Sequence, residues 1–212
     1  MGVADRRQRE REARVTAVLD AARSLLLERG FIGATTREIA RHCELSEATL
    51  FFYFKNKDEI FISLLFEGID FWTTALKKIQ KTESGPEKKL LQIWQLFKTV
   101  HEEHPEYYLL SAYLAQPYAT ANVSESIRIK IIRDSGANFQ RLADLLEDIS
   151  GRADGRIMAD TMWACFLGLT VLGGSRLNLK SGAHPTENDF ARVFEILRNG
   201  IFASGGNEKG DE

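Results

Sequence analysis

Cysteine is nearly absent. Two of them, Cys43 and Cys165, in 212 residues make neither a disulfide framework nor a zinc site. Charge of one sign is missing too: 28 Lys and Arg against 30 Asp and Glu leave a formal net charge of -2. That balance argues against a protein coated in nucleic acid, but it permits a local DNA-reading face. The opening residues, MGVADRRQRERE, lack the apolar core of a signal peptide, so a reducing cytoplasm is the expected home. The most lipid-like stretch, Met162 to Leu172, is short for a bilayer and holds Gly168 and Thr170, which favours a buried helix. No G-x-S-x-G, P-loop, Rossmann glycine pattern or paired metal-ligand motif occurs, so nothing points to an enzyme or a cofactor. Alternating strand patterns and internal repeats are likewise missing.

What is present is helix. With 44% hydrophobic residues and only four prolines, the composition suits a folded, all-α protein with a sizeable core. Val15, Val18, Leu19, Ala22, Leu25 and Leu26 form a helical stripe that Gly30 ends, with Phe31 placed to pack back on Leu26. Thr35 with Glu38 has capping-box spacing, and the run breaks at His42-Cys43-Glu44 with Leu45 as an apolar plug. Ser46 then caps a second short helix whose Leu50 and Phe54 share a face. Asn56 with Glu59 opens a third. Helix, tight turn and helix at this spacing predict a helix-turn-helix.

VLDAARSLLLERG at 18–30, followed by TTREIARHCELSEATLFFYFKNKDEI at 35–60, resembles the DNA-binding head of the TetR family of bacterial transcriptional regulators. The resemblance implies a three-helix head joined by a long helix to a larger helical ligand-binding and dimerisation domain. The corresponding division is 1–58 for the head, 59–204 for the second domain and 205–212 for a disordered tail. It also implies a homodimer that binds double-stranded operator DNA and is released by a small-molecule effector, hence a repressor.

Within the head, Ser46, Glu47, Ala48 and Thr49 form the first turn of the recognition helix, the part that faces base edges. Phe51, Phe52 and Tyr53 match the family's aromatic trio on the sugar-phosphate backbone, although at least one of the two phenylalanines can also be read as core. Lys57, Thr36 and Arg37 are placed to hold phosphates at helix starts. Glu47 and Ala48 depart from the Lys or Pro and the Gly common in the family. Glu47 reads equally as a cytosine-amino acceptor or as a helix-start residue favouring the dipole. Residues 1–14 carry five arginines, a solvated helix extension or an arm touching DNA.

Beyond the head, the pattern predicts helices over 57–81, 86–103, 105–116, 124–149, 156–179 and 187–203. Aromatic residues gather there. Trp94, Phe97, His101, Tyr108, Tyr113, Phe139, Trp163 and Phe166 are the candidate lining of a lipophilic pocket, with Gln116 and Asn138 as further polar anchors. Singly, each aromatic reads first as core. His101 and His104 stand three apart rather than at the four of HExxH, so the helix dipole explains them better than a metal. The apolar helices at 156–179 and 187–203, with Gly168, Gly173 and Gly174, suit a dimeric four-helix bundle or a subunit core. The alternative to a regulator is a helical small-molecule-binding protein with a vestigial DNA head.

Overall fold

The computed structural model describes residues 3–114, 123–179 and 187–203, and these are helices joined by short connections with no strand among them. The order is α1 (Val3–Gly33), α2 (Thr36–His42), α3 (Glu47–Tyr53), α4 (Lys57–Gln80), α5 (Pro86–Glu103), α6 (Pro105–Leu114), α7 (Glu125–Ser150), α8 (Gly155–Asn178) and α9 (Glu187–Phe202). Gln116 and the tail at 205–212 lie outside the described residues.

Two compact units result. The first holds Met1–Asp70 and His104–Ile131, the second Phe71–Glu103 and Ile132–Glu212, so α4 and α7 each contribute to both.

In the first unit the stripe on α1 does what its period demands. Val18, Ala22 and Leu25 are wholly buried, together with Ile39 of α2, Leu50 of α3, and Ile60 and Leu64 of α4. Each such valine, leucine or isoleucine contributes about 1.5–3 kcal/mol by leaving water. Gly30, at φ 65°, breaks the regular helix where expected. Phe31 packs against the same core that holds Leu26. It stacks on Tyr113 at 4.0 Å and meets Phe61 edge-on at 5.1 Å, because larger aromatic partners from α6 and α4 are within reach. At Gly68 the chains approach closely: a Cβ there would meet the Tyr107 ring at 2.9 Å.

One charge network crosses this unit. Arg23 of α1 reaches Asp20 and Glu67 at 2.5 Å each and Glu106, 1% exposed, at 3.2 Å. A buried carboxylate is tolerated only with such a partner.

The second unit is held by rings. Phe97 stacks on Phe166 at 4.5 Å, Trp94 tilts against Phe166 at 4.6 Å, and Trp72 meets Phe97 at 4.8 Å. Gly155 lets α8 start against α7, since a Cβ would fall 2.3 Å from the Ala143 carbonyl oxygen. α8 also corrects the membrane argument from Met162–Leu172. By length and composition, Gly155–Arg176 is a 22-residue stretch apolar enough to cross a bilayer, and little of it is buried.

Candidate nucleic-acid interface

The helix-turn-helix is fixed by local polar contacts. Thr35 Oγ1 accepts from the Glu38 N–H at 3.2 Å and starts α2. Only half of the capping box forms, because the Glu38 carboxylate turns to Arg41 at 2.7 Å and Arg29 at 3.2 Å. The hydrogen bond from Arg41, with the charge of both arginines, holds Glu38 below the usual carboxylate range. The turn closes through the Leu45 N–H to the Ala40 carbonyl at 2.9 Å, with Glu44 at φ 55°. That left-handed backbone favours glycine or asparagine, and nothing in the residue type at 44 announces it.

Ser46 then caps α3, its Oγ accepting from the Thr49 N–H at 3.1 Å and lying 2.8 Å from the Thr49 hydroxyl. Leu50 and Phe54 face inward at 0% and 5% exposure. The opposite face is open: Ser46, Glu47, Ala48 and Thr49 are exposed, and so are Phe51 at 47% and Phe52 at 72%. Neither phenylalanine is core, which corrects that reading. The inward positions at 50 and 54 already satisfy the helix's one buried stripe. Phe52 is the most exposed of the trio and meets half-buried Tyr53 edge-on at 5.4 Å.

The phosphate candidates divide. Arg37 is exposed and pairs with no carboxylate among the described residues. The Thr36 hydroxyl donates to Glu47 at 3.1 Å, joining the first turns of α2 and α3. Glu47 is thereby a clamp across the motif as well as a candidate base contact. Lys57 points inward instead of outward: its ammonium donates to the Phe31 carbonyl and lies 5.6 Å from the Phe61 ring. Burial pushes its pKa down, with Asp58 opposing. Asn56 Oδ1 accepts from the Glu59 N–H at 2.8 Å and starts α4 without it.

Residues 18–64, from the body of α1 into α4, match the family described as bacterial regulatory proteins, tetR family. Over these residues the chain is similar to the DNA-binding part of that family. An HTH-type transcriptional regulator of Bacillus subtilis, YvkB, is 40% identical over 76 residues, 36% of this chain and 39% of that protein. The fatty acid metabolism regulator protein of the same organism is 26% identical over 97 residues, 45% of this chain and 50% of its own. The chain thus spans half or less of the length of these curated relatives. Over the whole fold, the crystal structure of AibR in complex with isovaleryl coenzyme A and operator DNA is similar at TM-score 0.62 and 18% identity, covering 89% of this chain and 98% of that one.

The candidate pocket residues fall into two groups. Tyr108 and Tyr113 belong to the first unit, Tyr108 wholly buried. Burial pushes the Tyr108 phenol well above its ordinary range. Trp94, Phe97, His101, Phe139, Trp163 and Phe166 belong to the second. There Trp94, Phe97 and Phe166 are at most 3% exposed, while Phe139 and Trp163 meet edge-on at 5.5 Å and keep partial exposure. His101 Nδ1 lies 3.0 Å from the Thr170 hydroxyl and its ring 4.6 Å from Phe190, and burial lowers its pKa. Asn138 accepts from the Thr73 hydroxyl at 2.8 Å, so part of its polarity serves packing. A separate open groove of about 530 Å³ lies between α5 and α9, lined by Pro86, Lys88, Leu91, Phe194 and Arg198 among others. Of the two histidines, His104 stacks on Tyr107 and lies 3.6 Å from Glu106, in the unit that does not contain His101.

Proposed function

We propose that this chain is a cytoplasmic, homodimeric transcriptional repressor, not an enzyme, whose grip on operator DNA is released by a small lipophilic effector. The observation that carries this is the face of α3: a Ser46-capped helix with a buried seam at Leu50 and Phe54, and uncovered Thr49, Phe51 and Phe52 opposite. An uncovered aromatic pair on a two-turn helix costs solubility and is explained by sugar-phosphate and thymine-methyl contacts. Thr49 and Ala48 meet base edges; Arg37 and the α2 start hold backbone. Lys57 joins them only by leaving the Phe31 carbonyl.

Dimerisation is supported by the apolar surface on the C-terminal helices, where Ile157, Val171, Leu172 and Ile196 are 50–70% exposed. Pairing these faces between two copies accounts for α8 better than a bilayer does, since Arg156 and Asp160 pair in its first turns. Two copies of α3 then sit in successive major grooves, about 34 Å apart. Residues 1–58 act as the head, 59–204 as the effector and dimerisation domain, and 205–212 as a tail. The ring-rich interior of the second unit supports a lipophilic ligand, and the AibR complex with an acyl coenzyme A, like the fatty acid regulator, favours acyl compounds. Release follows only if the effector binds the DNA-free geometry more tightly.

The test is a selection of genomic fragments by the purified protein under excess nonspecific competitor, repeated with acyl compounds present. Nanomolar binding to a near-palindrome, weakened by one acyl class, is the expected result. Binding that vanishes with competitor sinks the regulator. Tight operator binding insensitive to a ligand that demonstrably binds sinks the switch.

A further inference from the structure

The five arginines of residues 1–14 are not used by the interface just described, and their arrangement along α1 is ordered. The helix begins at Val3, well before the apolar stripe. Its buried row of Val18, Ala22 and Leu25 continues toward the N-terminus, at the same three- and four-residue steps, as Arg14, Arg11 and Arg7. The face that packs on α2 and α3 in the body of the helix is therefore, in the overhang, a row of guanidinium groups. From Val18 back to Arg7 this overhang extends about 16 Å. Asp5 and Glu12 fall on the opposite side, and Glu10 is occupied by Arg6 at 2.8 Å. All three arginines of the row are exposed, and none pairs with a carboxylate among the described residues.

One contact and one electrostatic influence set this row beside the reading motif. The Arg11 guanidinium carbon lies 6.0 Å from the centre of the Phe52 ring. Burial pushes the Cys43 thiol up, and the charge of Arg14 is close enough to oppose it, at the end of α2.

We infer that Arg7, Arg11 and Arg14 form a phosphate-binding extension of the α3 surface, gripping duplex DNA flanking the bases that α3 reads, without regard to sequence. This rests on the DNA-reading proposal, but its signature is separate. Phosphate contacts release counterions and so set the salt dependence on any duplex, whereas base contacts set the ratio of operator to random affinity.

The experiment measures affinity against salt for a random duplex and for a selected operator, using full-length wild type, R7Q/R11Q/R14Q, R7K/R11K/R14K and R6Q/R9Q. The expected result is a log–log salt slope shallower by about 2 to 3 in the glutamine triple on both DNAs. The specificity ratio stays unchanged, the lysine triple restores the slope, and R6Q/R9Q, off the row, keeps it. An unchanged slope in the glutamine triple overturns the inference, as does an equal loss in R6Q/R9Q. A wild type with no sequence preference but a slope that still depends on the row would refute the regulator and uphold the phosphate grip.

Discussion

The head and the second unit use the same building block, the helix, under opposite constraints. In the head, three helices start on a side-chain oxygen that accepts from the N–H three residues on: Thr35, Ser46 and Asn56. The two helices of its reading motif, α2 and α3, have seven residues each, too few to persist without caps and packing. In the second unit the helices are long and order comes from rings meeting rings, as at Phe97 and Phe166. A surface that must match DNA needs its backbone fixed by polar groups at set positions. An interior that encloses apolar matter needs only volume and hydrophobicity, and many sequences supply those. The difference explains why the head carries recognisable spacing while the remainder carries composition.

That contrast can be broken from either side. Phe97→Ala in the second unit removes a wholly buried ring contacting Trp72, Trp163 and Phe166, and should cost about 3–5 kcal/mol in denaturant unfolding. A loss below about 1 kcal/mol would mean the ring cluster does not hold that unit. Ser46→Ala should cost about 1 kcal/mol, through the lost Thr49 N–H acceptor. Its operator affinity should fall further than its stability, since the cap positions the first turn of α3. Glu44→Gly should instead raise stability by about 1 kcal/mol, by relieving a left-handed residue in an exposed turn. A lower melting temperature would show that the glutamate side chain holds the turn.

The smallest effect is in pH. Burial lowers the His101 pKa below its ordinary 6.5, so the folded protein binds that proton more weakly than the unfolded chain. The stability this gives is present above pH 6.5 and is lost as the pH falls through the unfolded and then the folded pKa. His101→Gln should flatten that part of the melting-temperature profile; an identical slope would assign the loss to other groups.

What could be read in the sequence follows the range of the forces involved. The caps at 35, 46 and 56 were legible because donor and acceptor lie three residues apart. The helices at 86–103 and 187–203 were legible because their stripes repeat and Pro86 and Pro105 punctuate them. Phe51 and Phe52 were ambiguous because exposure depends on what the rest of the fold covers, and the spacing of Leu50 and Phe54 alone does not exclude a second buried row. Lys57 reads as outward because helix starts attract phosphate; the carbonyl that captures it belongs to Phe31, 26 residues away. Glu67 and Glu106 around Arg23 are separated in the same manner, by 44 and 83 positions from it, and no local signal joins them.

The central claim is that the open face of α3 reads DNA. It is tested most directly by Phe52→Ala and Tyr53→Ala against a selected operator under competitor, with melting measured in parallel. For Phe52→Ala the account predicts an unchanged melting temperature, because the ring is 72% exposed, and for both variants operator affinity lower by about tenfold, some 1.4 kcal/mol. Full operator affinity in both variants would contradict it and place the reading surface elsewhere on the head.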